Sequence, residues 1–264
     1  MKRQGNYSLI LERIFLSKYS QGAKEVDFER DDIVRFAAEL KIKLPENRYD
    51  LPYSFRYRAT LPESIKEKAG AGQNWIIRGV GPAKYRLALV PEFSLTANPN
   101  LAETKVPDAT PGMVARYALT DEQALLARVR YNRLIDIFMG LVCYSLQNHL
   151  RTTVEKRQME TDELYVGIDK RGVQYVIPVQ AKRGNDRLSI VQIEQDMDVC
   201  KSKFPALVCR PVGAQFMKDN VIALFEFEPS QDRVAVSSEK HYRLVPPEAV
   251  TEEDLAGYRT RRGD

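Results

Sequence analysis

An acid at the head of one β-prone run and a Gln-x-Lys at the tail of the next are the residues of this chain best suited to chemistry. The first run is Glu160-Thr-Asp162-Glu163-Leu-Tyr-Val, and the second is Val-Ile-Pro-Val-Gln180-Ala-Lys182. Between them, Asp169-Lys170-Arg171-Gly172 has tight-turn chemistry, which predicts two adjacent, paired strands. Side chains alternate along a strand, so Gln180 and Lys182 share one face while Val179 and Ala181 face packing. Paired in this way, Asp162, Gln180 and Lys182 converge on one spot. A carboxylate with side-chain and main-chain carbonyl oxygens suits Mg²⁺. A lysine beside that ion can orient a water or stabilise charge on a phosphate in flight. The chemistry expected is phosphodiester hydrolysis, with Asp162, Gln180 and Lys182 as catalytic residues. Glu160 and Glu163 compete with Asp162 as metal ligands, because a one-residue shift swaps the faces of a strand. Pro178 fits a central strand badly, since it has no N–H to give; a bulge or a late strand start is expected there.

The flanking segments must position these residues. Thr120-Asp-Glu-Gln123 reads as a capping box opening a long helical region to about Lys156, with or without a break at Gly140. That helix would bring Glu122, Gln147, His149, Arg151 and Glu155 toward the site. After the lysine, a helix over 190–203 carries Gln192, Gln195 and Asp196, followed by strands over 206–211 and 221–228. Nearer the N-terminus, helices are expected over 7–19 and 31–40, the second capped by Asp31 or Asp32 with Ile33, Phe36, Ala37 and Leu40 on one face. A turn over 43–48 enters a third helical stretch. Trp75 to Arg78 and Tyr85 to Leu89 read as a hairpin with a basic tip. Helices followed by such a hairpin predict a winged-helix-like α+β domain. Its DNA contacts would be Arg48, Tyr49, Arg56, Tyr57 and Arg58, with Lys84 and Arg86 on the wing and Arg183 beside the lysine. A solvated surface is the competing explanation for scattered basic residues. The Asn-, Pro- and Thr-rich stretch after Ser94 predicts a division into 1–93, a linker over 94–116, and 117–264. Gly79-Val-Gly81 lacks the third glycine of a dinucleotide loop.

The acid, turn and Gln-x-Lys order resembles the PD-(D/E)XK nuclease superfamily, in the variant where glutamine replaces the second acid. That variant is seen in methylated-DNA-directed restriction enzymes and some other restriction endonucleases. Tyr131-Asn-Arg-Leu, Ser145-Leu-Gln-Asn-His149-Leu-Arg151, Tyr53-Ser-Phe-Arg-Tyr-Arg58 and Leu61-Pro-Glu-Ser-Ile65 extend the likeness to a family of bacterial restriction endonucleases over roughly 7–246. The resemblance implies an α/β PD-(D/E)XK restriction-endonuclease-like core. It favours Asp162 as the ligand, because the second acid of an E-x-D pattern usually holds the metal in that family. It implies Mg²⁺-dependent, sequence-specific cleavage of double-stranded DNA by a homodimer, since symmetric cutting needs two active sites. Glutamine brings no charge, so metal binding would be looser or another acid would join. Two alternatives stay open: a DNA-binding regulator with an inactive nuclease-like core, and a structure-selective DNA-repair nuclease.

Composition narrows the field. A net charge of +4 permits a nucleic-acid partner without demanding one. Cys143, Cys200 and Cys209 fit neither a disulfide framework nor a zinc spacing. With His149 and His241 the only histidines, a histidine-rich metal centre is excluded. The apolar run 134–146 contains Asp136 and is too short to span a bilayer. No apolar signal core follows Met1. A cytoplasmic protein without membrane association is the expectation.

Overall fold

In the computed structural model the described residues are 2–44, 50–57, 59–92, 95, 97–117, 122–155, 157–184, 186, 188–230 and 233–261. The chain divides into two compact units, residues 1–94 with 153–158, and residues 95–152 with 159–264. The protein is mixed α/β.

The first unit runs α1 (Lys2–Lys18), β1 (Glu25–Glu29), α2 (Arg30–Glu39), α3 (Asp50–Tyr57), α4 (Glu63–Lys66), β2 (Gln73–Gly81) and β3 (Lys84–Pro91). Its antiparallel sheet has the order β1-β3-β2. Apolar faces of the helices and the inward residues of the hairpin make one core, including Ile10, Ile14, Phe15, Ile33, Phe36, Trp75 and Leu87. Each such side chain withdrawn from water contributes about 1.5–3 kcal/mol before the entropy of ordering is counted. Strand β1 was not among the expected elements. Its alternation is plain once seen: Val26 and Phe28 point inward and Glu25, Asp27 and Glu29 outward. Helix α2 begins one residue earlier than the sequence suggested, with Glu29 at the cap position. Asp32 acts from the first turn, accepting from the Glu29 N–H at 2.8 Å. Leu40, expected on the apolar face, is exposed.

The second unit contains β4 (Glu103–Pro107), α5 (Gly112–Tyr117), α6 (Glu122–Tyr131), α7 (Leu134–Met139), β5 (Val142–Val154), β6 (Arg157–Ile168) and β7 (Gln174–Arg183). It continues through α8 (Ile190–Lys203), β8 (Val208–Cys209), β9 (Val212–Phe216), β10 (Val221–Ser230), β11 (Arg233–Val245) and α9 (Glu252–Thr260). The sheet order is β4-β11-β10-β9-β7-β6-β5, with β8 beside β7. Strand β9 lies parallel to β7, and α8 supplies the crossover between them. Helices α6 and α7 cover one face over Leu126, Val129, Leu134 and Ile135, against Tyr165, Ile177, Val179 and Ala214. On α8, Cys200 packs with Leu164 and Val176 of β6 and β7 in a separate cluster. The α8 N-terminus is capped by Ser189, whose Oγ accepts from the Val191 N–H at 3.3 Å.

Two expectations are corrected here. The stretch 94–116 is more than a connector, because Glu103–Pro107 pairs with β11 as a strand of the large sheet. The long helix expected to about Lys156 ends at Met139, and the chain from Val142 onward is strand β5. The reason is local. Arg133 at φ 49° separates α6 from α7, and Gly140 at φ 63° closes α7 in the left-handed conformation that glycine adopts without strain. Asp136 Oδ1 then accepts from the Cys143 N–H at 2.9 Å and starts the strand. Asn132 fixes α6 in turn. Its amide donates to Asp108 and Thr110 and accepts from the Ala109 N–H at 2.7 Å.

Gly213 on β9 stands in the tightest place beside the motif strand. A Cβ there would lie 2.5 Å from Leu188 Cδ1 and 3.0 Å from Phe227 Cε2, both on buried side chains. Gly213→Ala is therefore expected to destabilise the protein by about 1–3 kcal/mol through overpacking. Urea denaturation at equilibrium measures this, and an unchanged midpoint would show that Leu188 and Phe227 yield freely.

Candidate active site

Strands β6 and β7 pair antiparallel from Ile168↔Gln174 to Glu163↔Val179. Beyond that pair, side chains bridge the two strands. Asp162 Oδ2 accepts from the Ala181 N–H at 2.9 Å, and Gln180 Nε2 donates to the Glu160 carbonyl at 3.2 Å. Strand β7 stays anchored on its other edge, where its pairing with β9 continues to Arg183↔Phe216. Pro178 is accommodated without a break in β7. It falls between the β8 pairing, which covers Tyr175 and Val176, and the β9 pairing, which starts at Val179.

Asp162 and Lys182 are brought together, and Glu122 at the start of α6 joins them. Lys182 is 14% exposed and its Nζ lies 3.4 Å from Glu122 Oε1. Burial pushes the Asp162 carboxyl above the usual carboxylate range, against the pull of the Ala181 N–H and of Lys182, and Glu160 raises it further. Burial likewise raises Glu122, opposed by Lys182 and reinforced by Asp162. Two desolvated carboxylates that repel one another are a site a divalent cation would relieve. Among the described residues, no cluster of three or more His, Cys, Asp or Glu side chains is placed to hold a metal ion. Mg²⁺ keeps several waters and commonly takes one or two carboxylates, so the donor set of Asp162 and Glu122 fits it.

The other expected ligands go elsewhere. Gln180 is fully buried and its amide is engaged: Nε2 also donates to Asp196 Oδ1 at 3.2 Å, and Oε1 accepts from Gln192 Nε2 at 3.1 Å. It ties β7 to α8 behind Asp162. Asp196 is itself buried and accepts from Thr161 Oγ1 at 2.6 Å. Its Oδ2 and Gln192 Oε1 are buried without a hydrogen-bond partner. Burial raises the Asp196 carboxyl to about 8, against the Thr161 and Gln180 hydrogen bonds. Glu160 is half-buried at the strand edge, with His149 Nε2 at 3.0 Å and Arg151 Nη2 at 3.5 Å.

Glu163 is turned to the α6 side, where Arg130 of that helix meets it. Fully buried, it accepts from Arg130 Nε at 2.7 Å and from Ser145 Oγ at 2.8 Å. Arg130→Ala would leave that carboxylate buried and uncompensated, with an expected loss of about 3–5 kcal/mol. The double variant Arg130→Ala/Glu163→Leu should recover much of the loss in the same denaturation assay. No recovery would show that the ion pair is not the source.

The residues expected from a helix arrive on a strand instead: Gln147, His149 and Arg151 all lie on β5. Sequence reasoning passed over Arg130 and Thr161. For Arg130 a signal existed, since it lies on the apolar-faced side of the helix it named.

Of the residues expected to contact DNA, the structure places the side chains of Arg56, Lys84, Arg86 and Arg183. Arg48, Tyr49 and Arg58 lie outside the described residues. Arg56 is partly buried in the last turn of α3, and Arg183 is exposed beside Lys182. Lys84 and Arg86 face the acids of β1, in the register Lys84↔Glu29 and Arg86↔Asp27. Lys84 Nζ is 3.2 Å from Glu29, and Arg86 reaches Asp27 at 2.6 Å and Glu25 at 2.8 Å. The Arg86 guanidinium holds the Asp27 carboxyl below its usual range. The expected basic tip of the hairpin is therefore largely neutralised by a strand the sequence reading omitted.

No family model, curated protein or solved structure matches the chain. Among the described residues, no helix is long and apolar enough to cross a membrane.

Proposed function

We propose that the protein is a Mg²⁺-dependent DNA endonuclease of the restriction type, with a PD-(D/E)XK-like core in its second unit. The observation that carries this reading is the grouping of Asp162, Lys182 and Glu122 where β6 and β7 stop pairing. The order helix, three antiparallel strands, crossover helix and parallel strand, α6 to β9, agrees with that core. In the first unit, the order α-β-α-α-α-β-β with strands β1-β3-β2 agrees with a winged helix that grips duplex DNA.

Asp162 and Glu122 would hold the ion, which when bound supplies a Lewis acid for a phosphate oxygen and an acidified water. The chain's own part is positioning and charge. The Ala181 N–H fixes one Asp162 oxygen and so holds the carboxylate at the end of β7. Lys182, partly desolvated, turns from Glu122 to the phosphate and neutralises charge as it builds. Gln180, locked by Gln192, Asp196 and the Glu160 carbonyl, keeps the end of β7 in place and so aims Lys182. Cutting both strands symmetrically calls for two copies of the chain.

The engaged amide of Gln180 favours one rival, a DNA-binding regulator whose core has lost its third ligand. Long mixed-sequence duplex, and flap and junction substrates, incubated with Mg²⁺ separate the readings. Discrete fragments from the duplex support the restriction reading, and cutting only at flaps or junctions assigns a repair nuclease. Intact DNA throughout, with a gel shift still visible, overturns the enzyme in favour of the regulator.

A further inference from the structure

The two edges of the large sheet are treated in opposite ways. Edge strand β4 is 5 residues long, ends on Pro107 and is sealed by α9 and the residue after it. The Lys105 N–H donates to Tyr258 Oη at 2.9 Å, Arg261 Nη2 donates to the Glu103 carbonyl at 3.2 Å, and Lys105 Nζ pairs with Asp254 at 2.8 Å. A short strand, a charge, a proline and a covering helix are the devices that keep a free edge from pairing. Among the described residues, edge strand β5 has none of them over its first half. It is 13 residues long, and from Val142 to Asn148 it contains no charge and no proline. Along that stretch Val142, Tyr144 and Leu146 recur at every second position and are 48%, 62% and 51% exposed. Ser145 turns the other way, to Glu163, so the three apolar side chains share the opposite face. His149, at φ 51°, ends the regular run.

We infer that this edge is the contact surface for a second copy of the chain, the two β5 strands pairing antiparallel about a two-fold axis. An antiparallel ladder is its own complement, so one strand related by a two-fold meets matching donors and acceptors. A two-fold near Ser145 sets Tyr144 of each copy across from Leu146 of the other, an aromatic–aliphatic cross-strand pair made twice. The uncharged stretch places no like charges opposite each other, which a polyanion such as DNA would not select for. The inference is independent of the nuclease reading, because it concerns the protein alone.

Sedimentation velocity in EDTA, without DNA, tests it. The wild type should be dimeric at micromolar concentration. Tyr144→Asp/Leu146→Asp, both exposed positions, should be a folded monomer by circular dichroism, with self-association weakened by roughly 100-fold because two pairs of charges would be buried. In a Tyr144→Cys/Leu146→Cys variant, oxidised glutathione should convert facing thiols of two chains into interchain disulfides, itself being reduced to the thiol. A monomeric wild type, a dimer indifferent to the Asp substitutions, or a dimer that does not cross-link would each overturn the proposal.

Discussion

Asp162→Asn is expected to slow DNA cleavage by about 10²–10³-fold or more, with duplex binding by gel shift unchanged. Asparagine keeps an oxygen for the Ala181 N–H, so the bridge between β6 and β7 survives and the charge alone is removed. Lys182→Ala should fall in the same range, because it removes the cation paired with Glu122 in the site. Single-turnover rates at saturating enzyme isolate the chemical step from binding. Metal dependence should also be pH-dependent. Because burial raises the Asp162 and Glu122 carboxyls, protons compete with Mg²⁺ at a higher pH than for an ordinary acid, and apparent metal affinity should fall as the pH drops. Unaltered cleavage by Asp162→Asn would remove Asp162 from the chemistry.

Asp196→Asn is expected to stabilise the protein at alkaline pH and flatten its pH dependence. In the folded protein Asp196 holds its proton to about 8, whereas the unfolded chain releases it near 3.8. Between those values the native state binds more protons than the unfolded state. The stability this group contributes is thus complete below about pH 4 and is lost progressively up to about pH 8. At about 1.4 kcal/mol per pH unit, the loss over that window is on the order of several kcal/mol. A proton on Asp196 Oδ2 would turn one of the two buried, unpartnered oxygens into a donor. Gln192 and Asp196 lie four apart on α8, so the carboxyl can donate to Gln192 Oε1. Asparagine supplies that donor at every pH and keeps an acceptor for Thr161 and Gln180. Urea midpoints of wild type and Asp196→Asn from pH 4 to pH 9, in EDTA, should converge at the acid end and separate toward the alkaline end. Parallel curves would mean that Asp196 does not titrate in that window.

How far the sequence could be read depended on whether a signal was local. The motif hairpin was legible because alternation and the Asp169 to Gly172 turn are short-range features, and Gly172 adopts φ 84° there. Helix α8 was legible too, over the expected 190–203. Strand β5 was misread because apolar residues from Leu134 to Leu146 continue a helical spacing, while the left-handed Gly140 that ends it is one residue among many. Strands β4 and β11 pair across a separation no local pattern encodes. Within the site, the approach of this acidic stretch to the end of β7 follows from the pairing of two adjacent strands, whereas the preference for Asp162 over Glu160 and Glu163 came from the family resemblance. The engagement of Gln180 does not, since it depends on Gln192 and Asp196 arriving on α8. The neutralisation of Lys84 and Arg86 was hidden in the same way, behind the short strand β1.

The most direct test is digestion of a long mixed-sequence duplex by wild type, Asp162→Asn and Lys182→Ala, each with Mg²⁺ and with EDTA. Discrete fragments from wild type with Mg²⁺ alone, and intact DNA in every other lane, are the predicted result. Cleavage that persists in EDTA, or in both variants with Mg²⁺, would contradict a metal-dependent centre built on Asp162 and Lys182.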